Sequence, residues 1–508
     1  MAGDNKRIAK NTLYLYIRMM FTMIISLYTS RVVLQKLGVD DYGIYQSVGG
    51  IVGFLSFINS ALSIGSSRFL TYALGERDFD KLKNTFSTTL TIHIIISFII
   101  VIVAETLGLW FLYNQLVIPE ERMSSALFVY QISILTAVFT LTQVPYNASI
   151  ISHEKMSIYA YMSIFEVLAK LAICYLLSIG DFDRLKLYAL LLFLVQISLM
   201  VFYRIYCTKH FKETRYKFIL DKNIFKDVAA FSGWSLFANC SIALNSQGIL
   251  ILLNMFFQPT VVAARAISIQ VNMAATQFVN NFRTASNPQI VKRLASGDIE
   301  GSHQLLLSST KYSFYLMLII CLPICFLAEQ LLHYWLDTVP EYTVIFLQLI
   351  VIQSLFQVFD TSFYTALYAM GRLKENALVS PTIGLLRFPL IFFLFKWGCS
   401  PVALSWASLA TYVLLALVIK PILIIKIANY TWRNIFDVFI PCFRVAITSV
   451  IICFLLDYYC FFPSFIGFVA EVFFMIVSTL LVAFYIGVDK NHRKKVFSMI
   501  KNKLNINV

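Results

Sequence analysis

The sequence predicts an all-α, polytopic membrane protein with about 14 transmembrane helices. Of its 508 residues, 59% are hydrophobic and 13% are charged, and the mean hydropathy is +0.75. These values exclude an ordinary soluble domain. Fourteen apolar runs are long enough to cross a bilayer as helices. Lysine and arginine are concentrated in alternate loops between these runs, as in membrane proteins with a defined orientation.

The predicted spans follow one another with mostly short polar loops. About 20 apolar residues are needed to cross the hydrocarbon core as a helix. Several runs are longer, which indicates tilt or extension beyond the lipid. In chain order, the spans are predicted at residues 12–35, 43–70, 86–113, 123–151, 157–179, 186–207, 228–256, 260–284, 305–328, 342–370, 376–396, 400–425, 435–456 and 464–487.

The first run is predicted to be a span and not a cleaved signal peptide. It is too long for a signal peptide, contains Arg18 and lacks a small-x-small cleavage site. The N-terminus is therefore expected in the cytoplasm, and an even number of spans places the C-terminus there as well.

The distribution of cations supports this orientation. The loops on the side of the two termini include residues 204–226, the tail at 489–508, and Lys420, Lys426 and Arg433. The opposite loops contain only Lys36, Arg122, Arg184, Lys186 and Lys396. By the positive-inside rule, the cation-rich side is cytoplasmic. The net charge of +14 then reflects topology and attraction to anionic membrane lipids, and nucleic-acid binding is not predicted. Residues 491–501 are predicted to form a basic amphipathic helix at the membrane surface.

Residues 30–84 contain the most distinctive local pattern. The motif Ser-Arg-x-x-Leu-x-x-Leu-Gly-x-x-x-Tyr-Gly-x-Tyr runs from Ser30 to Tyr45, and a Gly/Ser-rich run and an acidic loop follow it. Small residues let helix backbones approach closely in lipid. Arg31 and Arg68 are costly in lipid unless they face a wet or protein-lined interior. The pattern predicts two helices that line a polar cavity.

This pattern resembles the N-terminal signature of Wzx-type polysaccharide flippases. They belong to the polysaccharide-transport branch of the MOP superfamily, which also includes the MATE antiporters and the lipid II flippase. The resemblance covers essentially the whole chain in length and segment pattern. It implies a MATE/MOP-like fold and a flippase of the bacterial inner membrane that moves undecaprenyl-pyrophosphate-linked oligosaccharide units for surface polysaccharides such as lipopolysaccharide O-antigen. It also implies the lipid-linked substrate and the polysaccharide polymerase machinery as partners.

An internal repeat is visible at an offset of 220 residues, where Leu37 to Asp78 align without a gap with Phe257 to Asp298. Each repeat contains six spans, so the halves should share an orientation and be related by a pseudo-two-fold axis along the membrane normal, with the substrate cavity between them. The predicted domains are an N-terminal six-helix lobe at 1–208, a basic cytoplasmic linker at 209–226, a C-terminal six-helix lobe at 227–430, two additional transmembrane helices at 431–488 and a basic cytoplasmic tail at 489–508.

The sequence indicates transport without covalent chemistry. It contains no Gly-x-x-x-x-Gly-Lys-Ser/Thr loop, no His-Glu-x-x-His motif and no nucleophile elbow. Its nine cysteines lie mostly in apolar runs without metal-ligand clustering, and we expect them to pack as small apolar residues. The chain is therefore not expected to be an enzyme, and no cofactor or metal site is predicted.

Cations inside the apolar runs are the candidate substrate-binding residues. Arginine presents a planar donor fork that suits phosphate, so this set favours an anionic group such as the pyrophosphate of a lipid-linked glycan. Cations near span ends, such as Arg283, either line the cavity or reach the headgroups, and for Lys311 and Arg444 the headgroups are favoured. Lys170 either contacts substrate or pairs with Glu166 one turn away. The predicted set is Arg18, Arg31, Arg68, Lys170, Arg265, Arg283 and Arg387.

Coupling to an ion is predicted to involve Asp360, Glu166 or His93. Asp360 lies near the middle of its span, and histidine titrates near neutral pH. A single histidine or glutamate in a helix bundle is more often a local hydrogen-bonding partner. The sequence leaves proton and sodium coupling open.

An alternative function is a MATE-like, ion-coupled antiporter that exports small organic molecules. The first span opposes this alternative, because it contains Arg18 and Arg31 and no acidic residue, whereas a cation exporter would present acids. A membrane scaffold or polymerase subunit is disfavoured by the repeat and by the interior cations.

Overall fold

The computed structural model describes residues 2–54, 56–76, 78–153, 155–179, 182–222, 224–226, 236, 239–370, 372–459, 464–488 and 493. Among these residues there is no β-strand, and nearly all regular structure is α-helical. The predicted all-α fold class is confirmed.

The described helices follow the apolar runs in order. They are α1 (Ala2–Leu37), α2 (Val39–Phe54), α3 (Ser56–Gly75), α4 (Phe79–Val103), α5 (Leu109–Gln115), α6 (Met123–Ser152), α7 (Met156–Leu176), α8 (Arg184–His210), α9 (Ile249–Phe256), α10 (Pro259–Ala295), α11 (Ile299–Phe326), α12 (Ala328–Trp335), α13 (Thr343–Ala369), α14 (Leu373–Lys396), α15 (Ala403–Leu414), α16 (Lys420–Ala428), α17 (Trp432–Tyr459) and α18 (Phe465–Val482). π-Helical turns lie at Ala104–Gly108, Leu244–Gly248, Leu415–Ile419 and Ala483–Gly487.

Ten of the predicted spans coincide with helices long and apolar enough to cross a membrane. In the part of the chain that the structure describes, these are Phe79–Gln115, Glu120–Ser152, Arg184–His210, Asn239–Phe256, Ile299–Phe326, Thr343–Ala369, Leu378–Lys396, Ala403–Ala428, Trp432–Tyr459 and Phe465–Gly487. The other four predicted spans coincide with α1, with α2 and α3 together, with α7 and with α10. For these four, crossing of the membrane stays a prediction.

The chain forms two compact units. The first unit contains Met1–Ile267 and Gly384–Pro401, and the second contains Ser268–Ile383 and Val402–Val508. Helices α10 and α14 contribute residues to both units. The division into six-helix lobes remains a prediction, for the lobes at 1–208 and 227–430. Their pseudo-two-fold relation also remains a prediction. The predicted tail helix at 491–501 lies outside the described residues, apart from residue 493.

Aspartates and glycines mark several helix boundaries. The Asp78 side chain accepts a hydrogen bond from Lys81 N at 2.9 Å at the start of α4, and Asp298 accepts one from Gly301 N at 2.9 Å at the start of α11. Asp78 and Asp298 are the residues that the 220-residue offset pairs, and both are helix N-caps. Gly38, with φ of 84°, allows the sharp turn from α1 into α2.

Helix α6 is central to the first unit, where it packs against α2, α3, α4 and α8. Its buried Tyr130 donates a hydrogen bond to the carbonyl of Ala104 at 2.8 Å. Ala104 begins a π-helical turn, where the regular helix hydrogen bonding is interrupted. The tyrosine hydroxyl is thus a second donor to this buried carbonyl, in addition to the backbone N–H of Leu109.

One arginine joins three loops that the sequence places on the non-cytoplasmic side. Arg122 Nη2 donates to Asp41 Oδ2 at 2.6 Å, and Arg122 Nη1 donates to Asp183 Oδ2 at 3.0 Å. Burial opposes ionisation of Asp183, but hydrogen bonds from Ser125 and from Lys186 N, together with Arg122, hold its pKa below the usual range. These loops therefore lie at the same end of the first unit, as the predicted alternation of loops requires.

The predicted linker contacts α4 and the segment after α6 in the first unit. Asp221 N donates to Thr88 Oγ1 on α4 at 3.2 Å. Glu213 is buried, and its carboxylate lies 2.6 Å from His153 Nε2. Burial raises the pKa of Glu213, but the hydrogen bond with His153, a backbone hydrogen bond and the charge of His153 together leave the pKa below its usual value. The basic linker is thus anchored by specific contacts.

Candidate functional site

Two buried arginines approach each other in the first unit. Arg265 on α10 and Arg387 on α14 expose only 3% and 5% of their surface. Their guanidinium groups are close enough for electrostatic repulsion. Repulsion between like charges is stronger in a protein interior than in water. The structure therefore places two members of the predicted anion-binding set near each other in a buried site.

Asn245 orients Arg387 in this site. It belongs to the π-helical turn Leu244–Gly248, and its Oδ1 accepts a hydrogen bond from Arg387 Nη2. Asn245 Nδ2 donates to the carbonyl of Ser241 at 2.8 Å, which fixes the amide. Gly384, about one turn before Arg387, permits this approach, because a Cβ there would lie 2.8 Å from Asn245 Nδ2. Asn245 was not predicted from the sequence, since an uncharged amide gives no signal by itself.

A second charged cluster lies in the second unit and is centred on Asp360. Lys420 Nζ lies 3.1 Å from Asp360 Oδ1, and the two side chains are 1% and 16% exposed. Arg283 is attracted to the same carboxylate. Its Nη2 donates to the carbonyl of Thr361 and to Thr365 Oγ1, the latter at 3.2 Å. Arg283 therefore does not extend to the headgroups, and the cluster of two cations and one anion has a net charge of +1.

Lys420 was predicted to be a cytoplasmic loop cation, but the structure places it inside a helix. It is the first residue of α16, lies inside the apolar helix Ala403–Ala428 and is almost fully buried. Its ammonium also lies 5.7 Å from the centre of the Tyr364 ring, within range of a cation–π interaction. A signal was present, because an aspartate in the middle of an apolar span requires a cationic or hydrogen-bonding partner.

The other predicted cations are not brought into either cluster by any described contact. Arg31 is half-buried on α1. Lys170 forms an ion pair with Glu166 at 2.6 Å, and both side chains are more than one-third exposed. The intrahelical pair is therefore the arrangement found. The side chains of Arg18 and Arg68 lie outside what the structure describes, so their roles stay predictions.

His93 has a local partner. It is fully buried on α4, and its Nδ1 donates to the carbonyl of Thr89, one turn earlier, at 2.8 Å. This is the common role of a single histidine in a helix bundle. Ion coupling through His93, Glu166 or Asp360 stays a prediction.

Comparison with known proteins relates this architecture to transporters. A family model described as MatE matches residues 16–176. The chain is similar in fold to a structure of the lipid II flippase MurJ in an inward closed conformation, with a TM-score of 0.73, 12% identity, and coverage of 93% of this chain and 98% of that chain. No curated protein sequence matches significantly.

Two further solved structures are similar in fold. An inward-facing multidrug resistance MATE family transporter of the MOP superfamily has a TM-score of 0.66 at 13% identity, with 83% of this chain and 99% of that chain covered. A MOP superfamily transporter from Pyrococcus furiosus, described by the reverse polarity of its binding pocket, has a TM-score of 0.58 at 13% identity, with 84% and 97% covered. The chain therefore has a MATE/MOP-like fold. The MatE model matches about a third of the chain, at residues 16–176.

Proposed function

We propose that this protein is a flippase that moves an undecaprenyl-pyrophosphate-linked oligosaccharide from the cytoplasmic to the periplasmic leaflet of the bacterial inner membrane by alternating access. The observation that carries the proposal is the buried pair of Arg265 and Arg387 in the first unit. The motif from Ser30 to Tyr45, which resembles that of Wzx-type flippases, supports the same substrate class.

A pyrophosphate group suits two adjacent arginines. Each guanidinium can donate two hydrogen bonds to phosphate oxygens. A bound dianion would also replace the repulsion between Arg265 and Arg387 with attraction to both. Because Asn245 already orients Arg387, less side-chain freedom is lost on binding.

The charge pattern also opposes the antiporter alternative. Solved structures with a similar fold include both a lipid II flippase and a multidrug transporter, so the fold does not discriminate between the two. In the second unit, the carboxylate of Asp360 is paired with Lys420 and attracted to Arg283. A carboxylate neutralised in this way is poorly suited to attract an organic cation.

Deletion of the gene and analysis of extracted lipids tests this function. We expect lipid-linked oligosaccharide to accumulate in the cytoplasmic leaflet, and the wild-type gene to relieve the accumulation. Surface polysaccharide polymerisation should fail in the same strain, since the polymerase machinery would lack exported substrate. An unchanged pool of lipid-linked oligosaccharide, together with sensitivity to organic cations, would favour the antiporter.

Single-residue variants connect the function to the arginine pair. Arg265→Ala and Arg387→Ala should abolish export at wild-type abundance, and lysine should restore it only partly because it lacks the planar fork. Arg444→Ala is the matched control, since Arg444 lies in an apolar helix but is exposed. Normal export by both alanine variants would remove the main support for an anionic substrate.

A further inference from the structure

A cavity of about 260 Å³ lies within the first unit, and its described lining includes neither arginine of the pair. It is bordered by α2, α3, α4, α6 and α8, and no charged side chain is among its described lining residues. Its volume is slightly below the usual range for drug-sized ligands. The cavity is therefore suited to a small, uncharged group.

One face of α6 supplies most of the polar lining. Ser133, Thr136 and Thr140 lie on this face, because residues three and four apart share one side of a helix. Each hydroxyl donates its proton to the carbonyl four residues earlier, at 2.8, 2.7 and 2.8 Å. With the protons already engaged, the three oxygens present acceptor lone pairs to the cavity.

Asn59 adds a further acceptor oxygen to the cavity, and Tyr45 adds an aromatic ring. Asn59 Oδ1 is buried and has no hydrogen-bond partner among the described residues. A buried amide oxygen is costly to leave unsatisfied, so a donor from a ligand would stabilise it. Tyr45 also lines the cavity, and its ring packs edge-on against Tyr188, with 4.9 Å between ring centroids.

We propose that this cavity is a subsite for one neutral sugar residue of the transported glycan. The inference rests on the proposed flippase function and specifies how the glycan is recognised. A sugar supplies several hydroxyl donors to match the acceptor oxygens, and its C–H faces pack on an aromatic ring. A prenyl chain would leave those acceptors unsatisfied, and an anion would be repelled by them. An organic cation would find no carboxylate among the described lining residues.

Binding of two lipids to the purified full-length protein tests the subsite. The probes are undecaprenyl pyrophosphate without sugar and the lipid-linked oligosaccharide extracted from the deletion strain. We expect the wild type to bind the glycan-bearing lipid more tightly. The Thr136→Val and Thr140→Val double variant removes two acceptors with little change in shape, and it should weaken binding of that lipid about tenfold while binding of the sugar-free lipid is unchanged.

A matched control and a cavity-filling variant strengthen the test. Thr142→Val is the control, because Thr142 is on the same helix, bonds to its own backbone and does not line the cavity. Gly49→Leu fills the cavity, since a Cβ at Gly49 would meet no atom within 4 Å. It should weaken binding of the glycan-bearing lipid as much as the double variant, without loss of thermal stability, because leucine favours a helix more than glycine does.

Each other outcome has a defined meaning. If both variants bind the glycan-bearing lipid as tightly as the wild type, the sugar subsite is refuted. If they weaken binding of the two lipids equally, the cavity holds the prenyl chain and the proposal is again refuted. If the wild type binds neither lipid, the proposed flippase function itself fails.

Discussion

Removal of the Asp360 carboxylate should destabilise the protein more than removal of the Lys420 ammonium, although the two groups form one ion pair. The reason is Arg283, which is attracted to the same carboxylate. Lys420→Met leaves one cation and one anion. Asp360→Asn leaves two largely buried cations that repel each other without the anion that separates them.

The structure sets the approximate size of this difference. Breaking a buried pair by removal of one partner typically costs about 3 to 5 kcal/mol. The Lys420 side chain is 1% exposed and that of Asp360 is 16% exposed, so Asp360→Asn should fall in this range, at about 4 kcal/mol. Lys420→Met keeps the attraction between Arg283 and Asp360 and should therefore cost less than Asp360→Asn. The double variant has no buried charge pair to break and should be more stable than Asp360→Asn alone.

Thermal unfolding of the purified variants in one detergent measures the order of stabilities. Lys426→Met is the matched control, because Lys426 lies on the same helix but is exposed, and its loss should change stability by less than about 0.5 kcal/mol. The reasoning is refuted if Lys420→Met is as destabilising as Asp360→Asn, or if the double variant is less stable than both single variants.

Three further predictions concern the ends of the first unit and the topology. Arg122→Gln should destabilise the protein by about 2 kcal/mol in thermal unfolding, since it leaves two partly buried carboxylates facing each other; wild-type stability would show that other contacts hold these loops. The pKa of Glu213 is lower in the folded protein than the unfolded value of 4.5. The resulting stabilisation should be complete above pH 4.5 and should be lost as the pH falls below that value. Glu213→Gln should therefore make the stability less dependent on pH below about pH 4.5. A membrane-impermeant thiol reagent should label Glu121→Cys in intact cells and Lys212→Cys only after permeabilisation, and the reverse pattern would invert the topology.

Sequence patterns located the helices closely. The span predicted at 342–370 is the helix Thr343–Ala369, and the span predicted at 186–207 lies within Arg184–His210. This agreement has a physical cause, because in lipid every backbone N–H and C=O must be satisfied within the segment, so a long apolar run has to be helical. The alternation between cation-rich and cation-poor loops could also be read from the sequence, because it depends only on the lysines and arginines within each loop.

The candidate site was only partly predictable. Arg265, Arg387 and Asp360 were identified because a buried charge is costly and is retained only with a compensating environment. Lys420 was misassigned, since its position near a helix end resembles that of Lys426, and only the packing of α16 against α13 shows that one is buried and the other exposed. The pairing of Lys170 with Glu166 was available as an alternative, because both residues lie one turn apart on the same helix.

Local sequence therefore determined where the helices begin and end, which residues are costly to bury and which loops share a side. Tertiary packing decided which of these residues meet. Arg387 is oriented by Asn245, 142 residues earlier in the chain, and the acceptor oxygens of Ser133, Thr136 and Thr140 face a cavity only because helices distant in sequence surround it. The physical reason is that apolar faces gain little by associating in lipid, so close packing, small residues and polar contacts select the partners of each helix. Those selections depend on three-dimensional shape and are not encoded in the period or composition of any single segment.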